Sequence, residues 1–380
     1  MGQLESLREL LLDSTSIEEI PEWRKMEKLE ILSLVECNAL KKFDFLGTAG
    51  ELSLVGNHLI QLPKSIENFN SLIELDISGS GIRELPDSIR YMKNLKVLKM
   101  RQSFLRKLPI AIVMLEKLEQ LEAGVFPRGE VPVNIGKLPF LSKLVLAYTE
   151  ISALPQLPES PITLDFHTPS METMSDLSNL LNLRVLKWHV RFKNPLQLES
   201  APSSWGIGRL RMLETLDLYC PDIDSLPSDL VLLSQLKELN LWCSNLQCLP
   251  RLPTNLSCLR LKFCKSMKTT NDMSNLKALS HLYIGLCDKL TEIEGLEGLE
   301  NLRTLMLVRL PSLAKLPDLT NLKKLKKIFL SFCTELFEIP DCPDSLEILE
   351  IHNCFKLQKL PDPSSSKNLK VSVRQEWEWA

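Results

Sequence analysis

One fifteen-residue frame constrains this chain more than any other feature. From Leu72 to Pro86 it reads leucine, two free positions, leucine, one free, an aliphatic, two free, a small polar residue, one free, an aliphatic, two free, Leu-Pro. The frame recurs along the chain. The leucine that opens each L-x-L core falls at Leu10, Leu32, Leu52, Leu75, Leu98, Leu121, Leu144, Leu164, Leu186, Leu216, Leu239, Leu259, Leu282, Leu305, Ile328 and Leu349, a step of about 23 residues.

Such a period belongs to a leucine-rich repeat, in which each unit contacts only its neighbours. L-x-L is a short strand with period-2 alternation, and about sixteen such strands side by side predict one parallel sheet. The return path is read from Pro63-Lys64-Ser65-Ile66 and Pro86-Asp87-Ser88-Ile89, where proline opens a short helical or 3₁₀ turn. Strands are narrow and returns wide, so the expected form is an α/β horseshoe with the sheet on its concave side. The frame predicts one solenoid over residues 1–361 and a tail over 362–380, a partial cap or the start of a further domain. Within that tail Leu369, Val371 and Val373 alternate like one more strand.

Three irregularities interrupt the period. The unit after Leu121 loses its polar loop residue between Glu122 and Glu130. The unit at Leu164 follows Pro155, Pro158 and Pro161, and about seven extra residues lie around Asn194 to Gly208, including Trp205. Met1 aligns with Ile135, mid-repeat, which predicts a fragment of a longer protein. Met1-Gly2 with Ser6 fits a myristoylation pattern, although Gly2 is equally the glycine of its repeat.

The 45 basic and 48 acidic residues leave a net charge of −3, so no bulk field favours nucleic acid or an anionic membrane. Glu5, Arg8 and Glu9 stand where a secretory signal would be apolar, and the expected location is cytoplasmic, or nuclear and cytoplasmic. Cys37, Cys264, Cys287, Cys333 and Cys354 share one loop position with Thr15, Asn57, Ser80, Ser103, Thr149 and Ser244. A position that accepts all four residue types needs a small side chain that can donate to the loop backbone rather than a disulfide. Pro221 and Leu310 depart from it.

No phosphate-cradling glycine loop, C-x-x-C pair or catalytic constellation is present, so no enzyme activity, cofactor or metal is expected. His167 and His189 with Asp165 form the only set that invites a metal reading; solvated histidines are the alternative. The stronger signal is the outward face of the later strands. There Tyr219, Trp242, Tyr283, Met306 and Phe329, with Phe263 and Phe332 one residue further on, suggest a protein-binding surface. The competing reading tucks Phe263 and Phe332 into the rim of the core and packs Tyr219 on Trp242. Basic runs at Lys93 to Lys107 and Lys323 to Lys327 read as solvated faces.

The stretches LPKSIENFNSLIELDISGSGIRELPDSIRYMKNLKVL (Leu62 to Leu98) and LPRLPTNLSCLRLKFCKSM (Leu249 to Met267) resemble the repeat region of plant intracellular nucleotide-binding immune receptors of the Toll/interleukin-1-receptor class. The resemblance covers nearly the whole chain. It implies a horseshoe that senses a pathogen effector or host signalling protein and helps hold a nucleotide-binding domain inactive. In that reading Lys99 and Arg101 face the nucleotide-binding domain and the aromatic repeats face the effector. The family's nucleotide-binding motifs are absent here, so ATP binding does not carry over. The alternative is a stand-alone scaffold of the plant Ras-group repeat type that binds a signalling protein.

Overall fold

The computed structural model describes residues 6–20, 28–43, 49–62, 66, 69–126, 131–172, 175–193, 205–361 and 369–375. Gly2, the Pro63–Ser65 entry, most of the Asn194 insertion and most of the tail lie outside them. The chain falls into two compact units, Met1–Ser175 and Asp176–Ala380.

The first unit contains β1 (Glu9–Leu11), β2 (Glu19–Ile20), β3 (Ile31–Ser33), β4 (Lys42–Phe43), β5 (Glu51–Ser53), β6 (Glu74–Asp76), β7 (Val97–Met100), β8 (Gln120–Phe126), β9 (Lys143–Thr149) and β10 (Thr163–Met171). All but β2 and β4 join one parallel sheet, and those two pair apart from it. The second unit is a parallel sheet of β11 (Val185–Phe192), β12 (Thr215–Tyr219), β13 (Glu238–Trp242), β14 (Cys258–Lys262), β15 (His281–Gly285), β16 (Thr304–Val308), β17 (Lys327–Ser331), β18 (Ile348–His352) and β19 (Lys370–Arg374). Every leucine marker lies on a strand. Within each unit marker faces marker, as in Leu52↔Leu75, Leu75↔Leu98, Leu259↔Leu282 and Leu305↔Ile328. The strand expected near Val371 is β19, in register with β18.

Why the L-x-L tripeptide makes a strand is visible in its burial. Leu75 and Ile77 are fully buried while Asp76 between them is half-buried, so each strand drives its aliphatics inward and leaves a polar row outside. The returns bury a second apolar row. Four of the 3₁₀ turns, Asp87–Tyr91, Ile110–Met114, Val133–Lys137 and Ser228–Leu232, follow Pro86, Pro109, Pro132 and Pro227. Each inserts one aliphatic, Ile89, Ile112, Ile135 or Leu230, into the core.

Two other returns open on a left-handed glycine, Gly206 and Gly295. A Cβ at Gly295 would lie 2.5 Å from the Ser274 amide and 2.7 Å from that of Met273, both backbone atoms of the preceding turn, and would also meet Asp272 Oδ1. Gly295→Ala is therefore expected to cost about 2–3 kcal/mol, because strain at positive φ adds to a contact that cannot relax. The control is Gly50→Ala, where a Cβ has 3.6 Å of room and the urea midpoint should hardly move. Equal midpoints for the two variants would refute the argument.

Between strand and return the backbone passes through one left-handed residue placed immediately before a buried loop residue. Glu36 precedes Cys37, Gln102 precedes Ser103, Phe263 precedes Cys264 and Phe332 precedes Cys333 in this way. The buried residue then donates to a loop carbonyl. Asn57 Nδ2 donates to Leu34 O at 2.7 Å, Ser80 Oγ to Ile77 O at 2.6 Å, and Cys37 Sγ to Leu12 O at 3.0 Å. The turns after β12 and β13 depart from the spacing read in the sequence. After β12 and β13 the loop is one residue shorter, has no left-handed residue, and places Cys220 and Cys243 at the buried position rather than Pro221 and Ser244. The hydroxyl of Ser244 instead bridges to Pro221 O at 3.1 Å.

Candidate functional site

On the second unit's sheet, residues outside the L-x-L pair are half-exposed, and register decides which of them meet. Tyr219 on β12 lies opposite Trp242 on β13, and Tyr283, Met306 and Phe329 lie side by side on β15, β16 and β17. Ring centroids of Tyr219 and Trp242 are 6.4 Å apart. Trp242 stacks on Phe263 at 5.5 Å with 24° between the planes. Phe263 is 38% exposed, so it does not turn back into the core, and Phe332 is half-buried. Tyr219 and Trp242 do pack on each other, yet both keep part of their surface in solvent.

Three cations not singled out by sequence complete this surface. Lys262 Nζ lies 4.8 Å from the Trp242 ring and 5.1 Å from that of Tyr283, joining the two aromatic groups. Arg191 lies over Tyr219 at 5.8 Å and donates to its hydroxyl at 2.9 Å, a bond that holds the guanidinium in its charged form. Arg309 lies over Phe332 at 5.3 Å. Tyr283 can lie flat because Gly285 leaves it space: a Cβ there would come within 2.6 Å of the Tyr283 hydroxyl oxygen. Burial raises the Tyr283 phenol above its ordinary value. The Phe329 ring meets His352 at 5.3 Å. The expected aromatic residues thus form one group, Tyr219, Trp242 and Phe263, joined through Lys262 to a middle row of Tyr283, Met306 and Phe329, with Phe332 at the margin beside Arg309.

The first unit's face is ionic. Lys99 Nζ meets Glu74 at 2.5 Å, which raises the lysine's pKa. Glu122 is buried between Arg101 at 2.7 Å and Lys143 at 2.5 Å. The basic runs are also largely answered one turn away: Lys96 by Glu119 at 2.7 Å, Lys326 by Glu347 at 2.7 Å and Lys327 by Glu350 at 3.2 Å. Lys99 and Arg101 are therefore not spare cations. Among the described residues no three His, Cys, Asp or Glu side chains gather as a metal set, and no helix is long and apolar enough to cross a membrane.

No protein-family model and no curated protein matches the sequence. Among solved structures the chain is similar to a leucine-rich-repeat protein of Leptospira interrogans, at 22% identity and TM-score 0.57 over 82% of this chain and 80% of that one. It is also similar to the functional domain of InlJ from Listeria monocytogenes, which includes a cysteine ladder (17% identity, TM-score 0.59, 97% and 73% covered). An internalin of the same organism, InlF, matches at 16% identity and TM-score 0.58 over 86% and 87%. At such identities the likeness establishes the fold, a leucine-rich-repeat solenoid.

Proposed function

We propose that this leucine-rich-repeat solenoid is a protein-recognition module and that its partner seats on the sheet face of the second unit. The observation that carries this reading is the run of half-exposed Tyr219, Trp242, Phe263 and Tyr283, locked by Lys262 and continued by Met306 and Phe329. Exposed aromatic surface held rigid before binding loses little entropy on contact, and Trp and Tyr are the residue types that anchor interfaces. Leucine-rich-repeat solenoids typically serve as scaffolds for protein binding, which supports this reading.

The finer reading is sensing in plant innate immunity: a pathogen effector or host signalling protein on the aromatic face, as part of a larger cytoplasmic receptor. Its support is the resemblance of the repeats at Leu62 to Leu98 and Leu249 to Met267. In that setting a nucleotide-binding domain docking at Lys99 and Arg101 competes with Glu74 and Glu122 for both cations. Charge reversal at Lys99 and Arg101 in a full-length receptor should release its resting state; unchanged autoactivity removes the docking role.

The recognition reading is tested by affinity capture from plant extract with the chain and its Trp242→Ala/Phe263→Ala variant in parallel. A protein retained by the first is expected to bind the second at least ~30-fold more weakly, as loss of an anchor worth about 2 kcal/mol requires. Partners whose titrations are identical for both refute it.

A further inference from the structure

The cations on the aromatic face are unlike the others on the same sheet. Each carboxylate there already has a base: Asp217 lies 3.4 Å from His189, Glu238 bonds Arg260, and Glu350 lies 3.2 Å from Lys327. Lys262 and Arg309 have aromatic faces beneath them but no carboxylate partner among the described residues, and the side-chain bond of Arg191 is to a neutral hydroxyl. A chain with a net charge of −3 has thus left, among the described residues, Lys262 and Arg309 without a carboxylate, and Arg191 with no ion pair but only the field of Asp222, where its aromatic surface is exposed.

Resting on the recognition reading above, we infer that the occupant of this face is a polypeptide segment with interleaved carboxylates and apolar side chains, its acid groups over Arg191, Lys262 and Arg309. The rings hold each cation in place, so an incoming carboxylate gains a charge-assisted bond without displacing a resident acid or freezing a free lysine. Spacing narrows the segment further. Arg191 is on β11, Lys262 on β14 and Arg309 just past β16, so the cations lie roughly 14 Å and 10 Å apart across strands about 4.8 Å from one another. An extended chain covers about 3.3–3.6 Å per residue, which sets the acid groups roughly four and then three residues apart. Asp217 on β12 and Glu238 on β13 stand between Arg191 and Lys262, so the surface lacks the continuous basic groove along which a single-stranded nucleic acid tracks.

The test is selection from a phage-displayed library of random twelve-residue peptides on the full 380-residue chain. Lys262→Glu/Arg309→Glu and Trp242→Ala/Phe263→Ala variants, shown folded by circular dichroism, are run beside it. The expected result is enrichment of peptides bearing two or more acidic residues among apolar ones. Synthesised, the best of these should lose at least ~30-fold in affinity against the charge-reversed variant and weaken with added salt. Peptides that need Trp242 and Phe263 but show no acidic excess, or that bind the charge-reversed variant equally, overturn the inference and leave the recognition reading standing. No peptide dependent on Trp242 and Phe263 overturns that reading and the inference with it. Tighter binding of a labelled twenty-base oligo-dT than of any peptide, lost on charge reversal, assigns the cations to phosphate and overturns the inference as well.

Discussion

Between pH 8.5 and pH 10 the second unit is expected to lose stability steeply, at a rate set by its buried thiols. Burial raises the pKa of Cys220 and Cys243 far above the ordinary value, and that of Cys342 to about 12. An unfolded thiol ionises near pH 8.5. Above that pH the unfolded chain releases protons that the folded chain keeps, so stability present below pH 8.5 drains away as pH rises toward the folded values. The slope is about 1.4 kcal/mol per thiol per pH unit, or about 4 kcal/mol per unit for the three together. Urea midpoints at pH 7.5, 9 and 10 measure it. The Cys220→Ala/Cys243→Ala/Cys342→Ala variant should start less stable and fall much less steeply. A variant whose decline parallels the parent's removes the thiols as the cause.

Phe69→Ala is expected to cost the first unit about 3–5 kcal/mol, the range for emptying a fully buried aromatic site. Phe69 has no exposure, and the matching position of later returns holds Met92, Leu115 and Leu138, all buried. Phe69→Leu is accordingly expected to cost much less, since the core closes around Leu115 at the same position two turns further on. Contacts in a repeat array are local, so hydrogen exchange should accelerate around β5 and β6 while the second unit stays protected. A loss below about 1 kcal/mol for Phe69→Ala would show that the surrounding side chains collapse into the space.

Much of the fold was legible because the restraint is one-dimensional. A leucine that fails to face its counterpart at Leu75↔Leu98 would turn its strand inside out, and periodicity reports that register directly. The loop residue was legible in kind, a small side chain donating to the backbone, but not everywhere in place. Counting from Leu218 and Leu241 put Pro221 and Ser244 where Cys220 and Cys243 are buried, because a one-residue deletion is invisible to spacing when both candidates are small. The basic run around Lys99 was misleading for another reason. Its carboxylates, Glu74, Glu119 and Glu122, lie 21 to 25 residues away in sequence yet one strand away in space. Lys262 and Gly285 escaped notice because neither signals anything alone. A lysine beside a glycine on the next strand, flanked by Trp242 and Tyr283, exists as a feature only after the strands are paired.

The two short loops have a consequence for how such a surface changes over generations. In the longer loops a left-handed residue such as Phe263 or Arg309 stands between the strand and the buried anchor. Where that residue is missing, Tyr219 or Trp242 abuts the anchor directly and ends the strand on its open face. Gain or loss of a single codon there would therefore shift an aromatic side chain relative to the anchor without changing the register of the core leucines. On the recognition reading proposed above, small insertions and deletions in these loops would alter the recognised surface while leaving the core in register.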